Sequence, residues 1–256
     1  MIQTQPLQPG QVAFVGAGPG DPELLTLKAL RALAQADVVI HDRLVSDAVL
    51  ALSNPEAELL DAGKTGFGPA MKQDDINALI VTHARAGARV VRLKSGDPGV
   101  FGRLDEEIDA LDARGIDWRI VPGITSATAA VAGLGQSMTR RGRNSGVRLM
   151  TGHDVQGYAD HDWRALARPG EVAAIYMGKR AARFLQGRLM MHGADPATPV
   201  TLVENASRAD ERRIATTLAA LPAVLAAEAV DGPAVILLGL APRAAATLRL
   251  NRQEVS

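Results

Sequence analysis

The segment Gly16-Ala17-Gly18-Pro19-Gly20 follows a short apolar run, Val12-Ala13-Phe14-Val15, and precedes a leucine-rich stretch with helical spacing. Glycines at such a junction let backbone N–H groups approach a ligand at the carboxyl edge of a sheet. The spacing is G-x-G-x-G, not the G-x-G-x-x-G of dinucleotide sites, and Pro19 lacks an N–H that a pyrophosphate would use. Asp37 and Asp42 stand near the distance expected of a ribose-binding acid, so an NAD-dependent dehydrogenase stays open as a reading. The plainer reading is a tight strand-to-helix turn.

A second feature is a run without negative charge. From Trp118 through His153 there is no acidic residue, while Arg119, Arg140, Arg141, Arg143 and Arg148 all fall there. Guanidinium forks hold carboxylates bidentately, so the run reads either as a solvated loop or as a grip on an acidic ligand. Lys179, Arg180 and Arg183 would extend that basic wall. His153 closes Thr151-Gly152-His153 at a strand end and reads as a structural hydrogen-bonding residue. The histidines have no metal-ligand spacing, and no metal is expected.

The elements that must position these residues alternate. Strands are expected at 12–15, 38–40, 89–93 and 118–121, with a weak one at Leu59-Leu60. Helices are expected over 23–36, 73–86 and 104–113. Asp21 and Pro22 would cap and open the first, with Leu24, Leu27, Leu30 and Leu33 as its stripe. Ile76, Leu79, Ile80 and His83 form the stripe of the second. Strands separated by helices argue for an α/β chain with a parallel sheet. After Pro122-Gly123 the texture changes to a small, apolar segment over 124–134. Later strands are expected at 147–150, 172–177, 199–203 and 234–238, with 212–215 pairing with 199–203 as a hairpin. These changes place a domain boundary near 122–140, giving an N-terminal domain over 11–122 and a C-terminal domain over 123–243.

Composition narrows the classes. The 256 residues are 47% hydrophobic, ample for a buried core. Twenty-eight basic residues balance 28 acidic ones, so no global field draws the chain to nucleic acid. With no cysteine, disulfides, thiolate metal sites and cysteine nucleophiles are excluded. No signal peptide is evident, and the longest apolar run falls well short of the roughly 20 residues of a membrane span. A cytoplasmic protein without a membrane segment is expected.

Longer motifs make the glycine loop specific. Val15-Gly16-Ala17-Gly18-Pro19-Gly20-Asp21-Pro22-Glu23-Leu24-Leu25-Thr26-Leu27-Lys28-Ala29 resembles the first signature of the tetrapyrrole methylases. Arg92-Leu93-Lys94-Ser95-Gly96-Asp97-Pro98-Gly99-Val100-Phe101-Gly102-Arg103, with Glu106-Glu107 after it, resembles their second. Val121-Pro122-Gly123-Ile124-Thr125-Ser126-Ala127, Thr151-Gly152-His153, Tyr176-Met177-Gly178 and Val203-Glu204-Asn205-Ala206-Ser207 follow in order. The resemblance runs from about residue 12 to about residue 240 and is strongest to the uroporphyrinogen-III C-methyltransferases.

That resemblance implies the two-domain class III methyltransferase fold: a parallel-sheet N-domain and a mixed-sheet C-domain, with S-adenosylmethionine in the cleft between. It implies a homodimer and two methyl transfers to uroporphyrinogen III. Pro19, Ser95, Gly96, Asp97, Val100, Thr125, Ser126, Met177 and Ala206 are the cofactor-binding positions it implies. It assigns Asp42 as proton acceptor and Lys64 as proton donor; Arg103, a further catalytic candidate, could grip a substrate carboxylate or act near the transferred methyl. Read alone, Asp42 is equally a partner of Arg43, Lys64 a solvated lysine, and Arg103 with Glu106 a helix-start pair. Glu106, Arg140 and Arg141 are the substrate-binding candidates. Ser95 stands where those enzymes carry glycine, Gly99 where an aromatic is usual, and Gln136 within an altered loop. Those departures keep open a sister methylase acting on a later precorrin or another acceptor.

Overall fold

The computed structural model describes residues 6–63, 71–154 and 157–243. The chain divides into two compact units, Met1–Thr125 and Ser126–Ser256.

The first unit runs β1 (Val12–Gly16), α1 (Leu27–Gln35), β2 (Val38–His41), α2 (Asp47–Leu50), β3 (Glu58–Asp61), α3 (Gln73–Arg85), β4 (Val90–Lys94), α4 (Leu104–Asp112) and β5 (Trp118–Val121). Its five strands are all parallel, in the order β3-β2-β4-β1-β5. Strand periodicity sorts the core into two layers. Ala13, Val15, Val39, Val91 and Leu93 pack on Ala29, Ala32 and Leu33 of α1. Val12, Phe14, Ile40 and Val90 pack on Ile76, Ile80 and Ala84 of α3 and Leu111 of α4. Since every strand runs the same way, every carboxyl end lies at one edge of the sheet.

One helix differs from its expected form. Asp21 accepts from Glu23 N–H, but it caps only a 3-10 turn over Pro22–Leu24. Leu25 and Thr26 are extended, and Thr26 Oγ1 caps α1 by accepting from Ala29 N–H. The break rotates the stripe: Ala29, Ala32 and Leu33 are buried, whereas Leu27 is 70% exposed. In α3 the buried set is Ile76, Ile80, Val81 and Ala84, with Leu79 packed at its margin and His83 half-buried.

The second unit runs α5 (Ser126–Gly133), β6 (Arg148–Thr151), the short pair β7 (His153–Asp154) and β8 (Gly157–Tyr158), α6 (Trp163–Leu166), β9 (Ala173–Tyr176), α7 (Ala182–Met191), β10 (Pro199–Glu204), β11 (Arg212–Thr217), α8 (Leu221–Ala227) and β12 (Ala234–Leu238). Its main sheet is mixed, in the order β11-β10-β12-β9-β6. The expected hairpin is present: β10 and β11 pair antiparallel, Val200 opposite Thr216. α5 covers one face through Ala127, Ala130 and Val131, and α6, α7 and α8 cover the other around Trp163, Leu185 and Leu221. β6 and β9 run parallel while β10 and β9 both oppose β12, so the carboxyl ends of β6, β9 and β10 share one edge.

A carboxylate at the opposite edge of the first sheet helps fix its register. Asp37 accepts two bonds from the Arg89 guanidinium, at 2.6 and 3.0 Å, and one from Arg89 N–H at 2.8 Å. These bonds hold its carboxyl at about 2, below the ordinary 3.8. Both side chains are more than a third exposed, so solvent screening keeps the pair's contribution small. A depressed carboxyl stabilises above its unfolded value and ceases to as pH falls through its folded one. Asp37→Asn should therefore be slightly less stable than wild type by denaturant melts at pH 7, with the difference shrinking between about pH 4 and pH 2.

Candidate active site

The carboxyl edge of the first sheet is built backbone to backbone. Gly18 and Gly96 exchange hydrogen bonds, Gly18 N–H to Gly96 O at 3.1 Å and Gly96 N–H to Gly18 O at 2.8 Å, joining the loops after β1 and β4. A Cβ on Gly16 would lie 2.6 Å from Gly123 Cα, and one on Gly123 would lie 2.2 Å from Gly96 O. Asp97 secures the same junction: Oδ2 accepts from Gly123 N–H and Oδ1 from Gly99 N–H, both at 2.9 Å. The Asp-Pro segment is thus a turn whose carboxylate ties two loops together.

Several implied site residues gather here. Pro19 lies in the loop after β1, Asp42 just past β2, Ser95, Gly96, Asp97 and Val100 after β4, and Thr125 after β5. Lys64 lies outside the described residues. Asp42 is bonded to Arg92 at 2.5 Å; Arg43, the partner open on sequence grounds, is not the one it takes. Its second oxygen accepts weakly from Ser95 N–H at 3.4 Å. Arg103 and Glu106 grip one another bidentately at 2.6 and 2.7 Å. That bond raises the arginine and lowers the carboxylate from their ordinary values, and both remain more than half exposed.

Behind Asp42 lie three residues that sequence reasoning passed over. Arg92, Lys94 and Glu107 are buried, with Lys94 Nζ 2.9 Å from both Glu107 oxygens and Arg92 Nε 3.1 Å from one. Burial, and then the neighbouring Arg92 charge, push Lys94 down, against Glu107 and Asp42. For Arg92 burial is the largest influence and lowers it, but Asp42 and Glu107 together outweigh it and hold the guanidinium above its usual range. A signal was present: Arg92 and Lys94 alternate in a strand otherwise composed of Val and Leu, so both sit on one buried face.

The second unit has its own edge. Ser126 opens α5, and the Tyr176 hydroxyl accepts from Ala127 N–H at 3.4 Å, tying that helix to the end of β9. Met177 follows β9 with φ of 52°, and its carbonyl bonds His153 Nδ1 at 2.9 Å. Gly152 packs against this turn, since a Cβ there would lie 2.9 Å from Met177 O. Ala206 follows β10, between Asn205 and Ser207, which also have positive φ. Among the described residues, five of the six non-glycine residues in that region, Phe101, Arg103, Met177, Asn205 and Ser207, lie in loops leaving β4, β9 and β10. Each such conformation costs about 1–2 kcal/mol, and retained strain of this kind gathers at ligand sites.

The basic run divides into two kinds of arginine. Arg143 braces its own loop, donating to the carbonyls of Ser137 and Met138, and Arg148 lies 3.8 Å from Glu171. Arg140 and Arg141 are exposed, and their guanidinium groups make no ion pair with a described residue. Lys179 does not extend a basic wall: its ammonium donates to the carbonyls of Val230, Asp231 and Gly232 at 2.6–3.0 Å. Among the described residues no group of three His, Asp or Glu could hold a metal ion, and no helix is long and apolar enough to cross a membrane.

Residues 11–222 match the family model of the tetrapyrrole (corrin/porphyrin) methylases. The chain belongs to that family. It is 45% identical over 230 residues to a siroheme synthase of Chromobacterium violaceum and 44% identical to one of Pseudomonas aeruginosa, in each case over 90% of this chain. The chain spans about half the length of these curated relatives, 49% and 50%. Among solved structures, a uroporphyrin-III C-methyltransferase of Thermus thermophilus, complexed with S-adenosylhomocysteine, is 41% identical with a TM-score of 0.76, covering 90% of this chain and 97% of that one. A cobalt precorrin-4 methyltransferase is 30% identical with a TM-score of 0.80, covering 90% and 95%. The class III fold, a parallel sheet and a separate mixed sheet, agrees with these neighbours.

The glycine junction can be tested directly. Gly123→Ala meets backbone on two other strand ends, which cannot give way as a side chain tip can. It should lose about 1–3 kcal/mol. Gly187→Ala, in α7 with nothing within 4 Å of its Cβ, should be neutral or gain up to about 1 kcal/mol. Thermal melts of the two variants check the contrast.

Proposed function

We propose that this chain transfers methyl groups from S-adenosylmethionine to carbons 2 and 7 of uroporphyrinogen III, giving precorrin-2 and two S-adenosylhomocysteines. The observation that carries the reading is the glycine junction of Gly16, Gly96 and Gly123, in a chain 41% identical to a uroporphyrin-III C-methyltransferase that binds S-adenosylhomocysteine. A sulfonium is already activated for methyl loss, so the protein's task is to hold the methyl in line with a pyrrole carbon. Loops fixed by backbone contact suit that task, because little is left to reorganise when the ligand enters.

Pro19, Ser95, Gly96, Asp97, Val100 and Thr125 of the first unit, with Ser126, Met177 and Ala206 of the second, would hold the cofactor. Ser95 and Gly96 offer backbone groups at the tight edge. The Asp97 carboxylate, engaged with Gly99 and Gly123, would hold that wall in shape.

Attack by carbon leaves a cationic tetrapyrrole that must lose a proton. Asp42 would accept it or stabilise the cation, and Lys64 would be the proton donor. Arg103 and Glu106, joined as a pair, would act beside the acceptor, with Glu106 holding the guanidinium in orientation. Uroporphyrinogen carries a carboxylate on every side chain, and the forks of Arg140 and Arg141, which make no ion pair with a described residue, fit such groups. The same reading implies a homodimer, measurable by light scattering, in a cytoplasmic setting.

A later precorrin is the second reading. Ser95, Gly99 and Gln136 depart from the uroporphyrinogen pattern, and the cobalt precorrin-4 enzyme has the higher TM-score, 0.80 against 0.76. Anaerobic incubation with S-adenosylmethionine and fresh uroporphyrinogen III decides by product mass. Two added methyls are expected; one added methyl would keep uroporphyrinogen III as an acceptor and revise the site around Ser95 and Gln136, and none with cofactor binding intact would move the acceptor to a later precorrin. Asp42→Asn should lower kcat by about 10²–10⁴. Charge reversal at Arg140 and Arg141 should raise the acceptor's KM by about tenfold or more with kcat less affected, as expected when binding contacts to carboxylates are lost.

A further inference from the structure

The three buried charges behind Asp42 have no part in the reaction as described so far. Arg92 and Lys94 are each 2% exposed and Glu107 is 1% exposed. Val90, on the same face of β4, packs among Phe14, Ile40, Ile80 and Leu111. Apolar side chains would fill these positions too, and replacing a buried ionic cluster by well-packed apolar residues is commonly neutral or stabilising. Stability alone therefore does not explain the cluster, and its use is to be sought at the end that reaches solvent.

That end is Asp42, whose side chain is 33% exposed. The Arg92 guanidinium is fully engaged on the way there. Nε meets Glu107 Oε1 at 3.1 Å, one terminal nitrogen meets the carbonyls of Ile40 and Leu93 at 3.3 and 3.4 Å, and the other meets Asp42 Oδ1 at 2.5 Å and Glu107 Oε1 at 3.1 Å. Lys94 closes the chain from behind by holding both Glu107 oxygens. Two cations and two anions balance, so no net charge is left in the apolar layer. A planar fork fixes a carboxylate's direction in a way an ammonium does not. Asp42 Oδ1 is taken up by the fork, while among the described residues Oδ2 accepts a single 3.4 Å bond, from Ser95 N–H, which leaves lone pairs for a ligand.

We propose that Arg92, locked by Glu107 and Lys94, is a positioning residue that fixes the Asp42 carboxylate in the orientation methyl transfer requires. The proposal rests on the assignment of Asp42 to the reaction made above.

A thermodynamic cycle on the full chain tests it, with R92K, D42N and the double variant measured for methyl transfer to uroporphyrinogen III and for S-adenosylhomocysteine affinity. R92K should lose on the order of tenfold in kcat, as a misdirected reacting group does, with S-adenosylhomocysteine affinity within about twofold of wild type. If Arg92 acts through Asp42, the double variant turns over no more slowly than D42N, a non-additivity that a merely structural role would not produce. A double variant on the order of tenfold below D42N would overturn the proposal and leave the role of Asp42 standing. A D42N enzyme at the wild-type rate overturns both. Should R92K fail to fold, E107Q enters the same cycle and is read by the same outcomes.

Discussion

Gly16, Gly96 and Gly123 stand at the ends of three different strands of the first sheet, where a Cβ on Gly16 or Gly123 would strike the backbone of the other two and Gly96 holds a φ of 72°. Much else in that unit follows from this contact. Parallel strands bring their carboxyl ends to one edge, but the loops leaving them would otherwise stand apart. The exchanged hydrogen bonds of Gly18 and Gly96 and the two bonds accepted by Asp97 draw them into one continuous backbone surface. A ligand at this edge would meet amide and carbonyl groups already held in place, with little ordering left to oppose binding.

Electrostatics works to the same end. Arg92, Lys94 and Glu107 carry charge through an apolar layer to a single carboxylate at the edge, while Asp37 and Arg89 secure the same pair of strands at the other. The second unit uses backbone strain more than charge: Met177, Asn205 and Ser207 sit in the left-handed region at the ends of β9 and β10. His153 steadies the first of these turns through its carbonyl, and Lys179 cages three further carbonyls after α8. The two units thus reach ordered loop ends by different physical means.

The alternation of strand and helix was legible because hydrophobic period and glycine turns report it directly, as in Val12–Gly16 and the β10–β11 pair. The start of α1 was not. Leu24, Leu27 and Leu30 mimic a stripe, but the chain extends at Leu25 and Thr26 and hands the buried face to alanines. Long motifs named the loops of the candidate site, whereas the partners of its charged groups stayed hidden. Nothing local links Asp42 to Arg92, 50 residues away, or Lys179 to the carbonyls of 230–232. Such pairings arise from strand order, which a single sequence does not print.

If this backbone-built edge holds the adenosyl co-substrate, as proposed, calorimetric titration detects the binding without relying on turnover. Saturable binding of S-adenosylhomocysteine at one site per chain, with no heat from NAD under the same conditions, is the predicted result. Saturable binding of NAD, or no binding of S-adenosylhomocysteine by a fully folded chain, would contradict it.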